Sequence, residues 1–203
     1  MPARSTVSSR PGKFASLGAA TRDLVRQRLL VGIPDTTAER KPEPDEKGTP
    51  PSNAVIGYTM EFGDPDRNIP ARPFLTPGID AVRDKIADTL KTAGAEVLTG
   101  NAGAVERGFA KAGAVAVSSV QAKITDGPFT PLSQRTIKAR ARRRNPDSGK
   151  LSQAAVSKRA RQYLDLQAQG MPDDILQGAG LVVPLVDTGQ LRRAITFVIR
   201  DKS

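Results

Sequence analysis

The chain has 203 residues and carries 31 Lys and Arg against 21 Asp and Glu, a formal net charge of +10, with no Cys, His or Trp. These absences exclude disulfides, thiolate or imidazole metal sites, and nucleophilic catalysis by Ser–His or Cys–His pairs, and a chain without disulfides needs no oxidising compartment. With 38 % apolar residues and eight aromatics, the length suits one domain with a modest core and sizeable appendages.

Residues 1–13, rich in Ser, Arg and Pro, read as a flexible N-terminal arm without the apolar middle of a secretory signal. A single α+β domain is expected from 14 to 203. Phe14 to Arg28 has Leu17, Thr21, Leu24 and Arg28 at helical spacing. Leu29 to Ile33 is a short β-like run ended by Pro34; no apolar run approaches the roughly 20 residues that span a bilayer. Residues 36–52, with four prolines and many charges, predict a long exposed loop. Asn53 to Phe62 is ambiguous between helix and strand, although Ala54, Tyr58 and Phe62 at i, i+4, i+8 favour helical turns that end at Gly63.

Ile69 to Leu75 is held extended by Pro70 and Pro73. Thr76-Pro77 predicts a helix start, with Ile79, Val82, Ile86 and Leu90 on one face and Gly94 as the stop. A second helix is predicted from about Gly103 to Ile124, with Val105, Phe109, Ala112, Ala116, Val120 and Ile124 on one side and small residues that let another backbone approach. A basic helical or loop extension follows at about 129–183. Within it, Ser133 is the cap of a turn carrying the Arg run, residues 145–149 have turn chemistry, and Leu151 to Gln169 is a helix capped by Ser152 and stopped by Gly170. Pro184 to Ala194 reads as a turn into a short helix, and Ile195 to Ile199 is the strongest strand. If the two strands share a sheet, the fold is α+β: a small, mostly antiparallel sheet packed against two long helices, with extended loops and arms.

The charge is concentrated. Arg135, Lys138, Arg140, Arg142, Arg143, Arg144, Lys150, Lys158, Arg159 and Arg161 face only Asp147 between positions 135 and 161, a net +9 that leaves +1 for the rest. Such a segment suits phosphate contact without base reading, or a solvated arm that meets an acidic protein. The four Arg at 140 and 142–144 are too dense for one helix face, and Tyr163 is the only nearby aromatic, which disfavours a base-stacking platform. Phe74 reads as a core plug, while Arg72 either belongs to the same connection or faces outward toward a carboxylate of a neighbouring subunit. Asp187 or Thr188 reads as a cap, with Arg192 and Arg193 on the solvent side. No second carboxylate pairs with Asp187 at a recognisable catalytic spacing, and no phosphate-binding glycine motif occurs.

Taken in order, Val31-Gly32-Ile33-Pro34, Met60-Glu61-Phe62-Gly63, Ile69-Pro70-Ala71-Arg72-Pro73-Phe74-Leu75, Pro131-Leu132-Ser133-Gln134-Arg135-Thr136 and Pro184-Leu185-Val186-Asp187-Thr188-Gly189-Gln190-Leu191-Arg192 resemble the tail-completion and neck proteins of tailed bacteriophages. The resemblance covers residues 29–200 in discontinuous blocks. It implies a small α+β subunit in a homo-oligomeric ring, commonly a hexamer or dodecamer, between the portal or its adaptor and the tail tube or tail terminator, around the double-stranded DNA channel. It implies a virion protein present in the host cytoplasm during assembly, with no membrane, cofactor, metal or catalytic site. The rim or inter-subunit candidates are Glu61, Phe62, Arg72, Phe74, Asp187 and Arg192. The long loop at 36–52 and the Arg-rich stretch depart from a compact member, and both read as arms toward neighbouring rings. A sequence-independent nucleic-acid-binding protein is the alternative reading of the same basic segment.

Overall fold

The structure, a computed structural model, describes residues 18, 22, 25–42, 48–101, 103–142 and 151–202; at 151–154, 174 and 177 it describes the backbone alone. The expected arm at 1–13, Arg143, Arg144 and the turn at 145–149 lie outside the described residues. Of the first expected helix, Phe14 to Arg28, the described Gly18, Arg22, Val25 and Arg26 are helical, but Gln27 and Arg28 already belong to the first strand.

The elements in chain order are β1 (Gln27–Gly32), α1 (Asp35–Ala38), α2 (Asn53–Phe62), a 3₁₀ turn (Pro65–Arg67), α3 (Leu75–Asp80), α4 (Arg83–Leu98), α5 (Ala104–Asp126), α6 (Gln134–Arg142), α7 (Leu151–Ala168), α8 (Asp173–Gly178), α9 (Gln190–Ala194) and β2 (Thr196–Asp201). The fold is mixed helix and strand. Its sheet joins β1 and β2 antiparallel, with Leu29 opposite Ile199 and Val31 opposite Phe197. The two strands read from opposite ends of the sequence thus share a sheet, as expected. That sheet lies on α5, where the Phe197 ring covers Gly113 so closely that a Cβ there would fall within 2.5 Å of it.

Three apolar clusters organise the interior. The first holds Phe74, Val120, Ile124, Leu185, Leu191 and Ile195. The second holds Val97, Ala104, Val105 and Phe109 beneath Leu29 and Ile199. The third, built by α6, α7 and α8, holds Ile137, Ala141, Ala160, Tyr163 and Leu176. α5 spans the first two, so its apolar stripe is buried at Phe109, Ala112, Ala116, Val120 and Ile124, as its spacing predicts.

Several elements differ from expectation. The helix predicted to start with Thr76 as its cap begins instead at Leu75, with Thr76 inside it, and is two helices. A tight i→i+3 bond from Val82 N–H to the Ile79 carbonyl (3.1 Å) turns the chain between them, so that Ile79 serves the first cluster and Leu90 and Val97 the second. Gly94 does not stop α4, which continues to bury Val97 and ends at Leu98, with Gly100 just beyond it at φ +97°. The stretch at 36–52 is not wholly an exposed loop. α1 occupies its start, Thr37 donates to the Ala194 carbonyl (2.8 Å), and the Gln190 amide clamps both backbone groups of Lys41 (2.9 and 3.1 Å). α7 already includes position 152, so it begins ahead of the expected Ser152 cap; it ends before Gly170 as predicted. α8 was not foreseen. Among the described residues no helix is long and apolar enough to cross a membrane.

Candidate functional site

α2 is inside out. Its buried positions are Asn53, Gly57 and Glu61, while Val55, Tyr58 and Phe62, at i, i+3 and i+7, point to solvent. Tyr58 is 69 % and Phe62 65 % exposed, and their rings meet at 4.8 Å. Each buried position has a local cause. Gly57 sits against Ile33, Leu191 and Phe74, and a Cβ there would come within 2.8 Å of the Ile33 side chain. Asn53 donates to the Glu39 carbonyl (3.1 Å). Glu61 caps the next helix from a distance: its carboxylate accepts the N–H groups of Phe74 (2.7 Å), Leu75 (2.8 Å) and Thr76 (3.0 Å) at the start of α3. Burial pushes its pKa up, but the three amides together outweigh burial and hold the carboxyl below its ordinary value.

Gly63 ends α2 with φ +80°, and a Cβ there would collide with the backbone of Ala71 (2.9 Å to N). This tight return lets Arg72 N–H reach the Met60 carbonyl (2.7 Å). The Arg72 side chain then turns inward. Its Nε donates to the Thr130 carbonyl (2.7 Å) and its Nη2 to that of Pro131 (2.9 Å), and burial lowers its pKa. The outward orientation toward a neighbouring subunit is therefore corrected: Arg72 is buried and holds the 129–133 connection. Phe74 beside it plugs the first cluster, as its plain reading predicts.

Arg140 does the same on the opposite side. It is 5 % exposed and donates to the carbonyls of Val183 (2.9 Å), Val186 (3.2 Å) and Pro184 (3.1 Å), with Asp187 Oδ1 3.8 Å from its Nε. It is a latch for the 183–187 turn, which removes it from the set of DNA or acidic-partner contacts. Asp187 is half-buried against it, and the residue preceding α9 is Gly189, in the left-handed region, with no side-chain cap.

Around these latches the resembling blocks meet. A groove of about 520 Å³ is lined by Met60, Ile69, Arg72, Leu132, Asp187 and Leu191 among others, so the second to fifth blocks all contribute. Ile33 of the first block lies beneath Gly57 at the edge of the same cluster. Asn53 Oδ1 is buried at this groove and has no hydrogen-bond partner among the described residues.

The basic segment divides. Arg135, Lys138 and Arg142 are exposed at i, i+3 and i+7 on α6, whose first amides are met by Ser133 (its Oγ accepts from Thr136 N–H, 3.3 Å). Lys158 and Arg159 are exposed on α7, and Arg161, also at the surface, donates to the Ala141 carbonyl (2.9 Å). Arg192 is exposed and reaches Thr125 Oγ1 (3.3 Å). Spacing alone missed Val55 and Tyr58 as surface anchors; their i, i+3, i+7 pattern signals an apolar helix face without saying which way it points. Among the described residues no group of three or more Asp and Glu is placed to hold a metal. What this arrangement does chemically is to fasten irregular backbone with buried charge while leaving an aromatic face uncovered. Comparison with family models, with curated proteins and with solved structures finds no match to this chain.

Proposed function

We propose that this is a structural virion protein of the bacteriophage neck, a tail-completion or connector subunit that forms a ring joining the portal or its adaptor to the tail tube around the DNA channel. The observation that carries this reading is the outer face of α2. A helix already seated on the core by Ile56 and Met60 still exposes Val55, Tyr58 and Phe62, an apolar face that suits a partner. Covering each aromatic is worth about 1.5–3 kcal/mol, and aromatic residues are the usual anchors of protein interfaces. The meeting of the second to fifth resembling blocks around one groove, beside the inner face of α2, supports the same reading.

Light scattering and negative-stain microscopy test it. The full chain, alone or with the portal, adaptor and tail-tube proteins of its phage, forms closed rings. Tyr58→Asp with Phe62→Asp leaves a folded subunit of unchanged Tm that no longer assembles, because both side chains are exposed in the subunit. A compact monomer that ignores those partners overturns the proposal. A second reading, sequence-independent nucleic-acid binding, draws on the exposed Arg135, Lys138 and Arg142 row.

A further inference from the structure

The outer face of the two-stranded sheet carries a charge arrangement that neither reading uses. Leu29, Val31, Phe197 and Ile199 point inward, toward α5 and the second cluster. By the two-residue alternation of strands, Arg28, Leu30, Val198 and Arg200 point outward. Arg28 lies directly opposite Arg200, and both are exposed. Just beyond the ladder, Lys202 N–H donates to the Arg26 carbonyl (2.6 Å), which brings exposed Lys202 beside exposed Arg26 at the end of the helical turn that precedes β1. Arg28 and Arg200 thus face each other about 5 Å apart across the strands, and Arg26 and Lys202 add two more cations at the end of the same sheet. Asp201, the one carboxylate in the two strands, belongs to the opposite face, across from Gln27. None of the four cations has an ion pair among the described residues.

Like charges directly opposite each other weaken an antiparallel pair. Such a pair on a two-stranded sheet opposes its stability, Arg26 and Lys202 add like charge at its end, and a polyanion laid across the four removes the penalty. We propose that this face is a sequence-independent docking surface for the phosphate backbone of duplex DNA. A row of phosphates matches this cluster of four exposed cations, and each neutralised phosphate releases condensed counterions. An acidic protein fits less well, because specific protein interfaces are anchored by buried aromatic or apolar groups and depleted in Lys. The outer face offers only the half-exposed Leu30 and Val198 beside its cations. The surface belongs to a single subunit, so the proposal holds with or without a ring.

Fluorescence anisotropy of a labelled duplex of scrambled sequence, titrated with the full chain between 50 and 200 mM salt, tests it. Replacing Arg26, Arg28, Arg200 and Lys202 by Ala lowers the steepness of log Kd against log salt by about 3.6 and weakens binding at 100 mM by about tenfold or more. The milder Arg28→Gln with Arg200→Gln lowers the slope by about 1.8 and, with the opposed charges gone, has a Tm at or above that of the parent chain. Arg135→Ala with Lys138→Ala and Arg142→Ala leaves the loss caused by the sheet variants intact. Sheet variants that bind with the parent slope, or a parent chain that does not bind at 50 mM salt, overturn the proposal. So does poly-L-glutamate bound as tightly as duplex at equal charge, which assigns the face to an acidic protein.

Discussion

Glu61 shows how one side chain fastens two segments. Its carboxylate satisfies three backbone N–H groups that open α3, and no other side chain caps that helix end. Glu61→Gln keeps the shape but replaces a charged acceptor with an amide that accepts through one oxygen. The expected cost is about 2 kcal/mol, read as a fall in Tm at pH 7. The pH dependence has a definite sign. A carboxyl whose pKa is lowered by folding binds fewer protons folded than unfolded in the acid range. Its contribution is complete above the ordinary carboxylate pKa of about 4.3 and is lost as pH falls through the folded value. The Tm of the parent chain therefore declines more steeply below about pH 4 than that of Glu61→Gln, and equal slopes in calorimetry contradict the assignment. Phe74 was legible in the sequence because a lone Phe between prolines and a helix start has few places to go except a core. Glu61 and Arg72 were not: their partners are backbone groups 13 to 59 positions away, and backbone groups leave no mark on composition or spacing.

At the scale of elements, α5 was legible almost to its ends, since a stripe of Val105, Phe109, Ala112, Ala116 and Val120 has one consistent period and one consistent use. α2 was legible as a helix by its Ala54, Tyr58 and Phe62 spacing, but its orientation was not. Which face turns inward depends on Gly57 meeting Ile33 and Leu191, both distant in sequence. The break between α3 and α4 also has a tertiary cause. Gly78 packs on the backbone of Val120, and Ser119 Oγ donates to the Gly78 carbonyl (2.6 Å). A Cβ at Gly78 would stand 2.8 Å from Val120 Cα, a backbone atom that cannot swing aside. Gly78→Ala is therefore expected to destabilise by about 1–3 kcal/mol in denaturant titrations, although Ala is by itself the better helix former by about 1 kcal/mol. An unchanged or raised midpoint would show that α3 can slide on α5.

Across the whole molecule, the helical unit of α6, α7 and α8 has its own apolar cluster, and Arg140 ties it to the 183–187 turn that leads into α9 and β2. The dense run of Arg135, Lys138, Arg140 and Arg142 reads as surface charge from sequence alone; only the turn's carbonyls, more than 40 positions on, show that one Arg is structural. Arg140→Ala removes the side-chain donor from three carbonyls, of which that of Val183 keeps the Val186 N–H (3.3 Å). It is expected to raise hydrogen exchange across 181–194 by about tenfold or more while the amides of α5 keep their protection, the equivalent of a local loss of about 1.4 kcal/mol or more. Uniform loss of protection would mean that the two parts unfold as one. The sheet has a different consequence, one of timing. Gly32 and Thr196 pair across a loop of about 160 residues, and closing such a loop from an open chain costs about 4–5 kcal/mol in entropy. The pairing becomes affordable only after α5 has drawn the intervening chain together, so the sheet is a late event in folding. During translation Leu29 and Val31 wait without their partner strand until residues 196–201 have left the ribosome, and over that interval a nascent chain is most in need of a chaperone's cover.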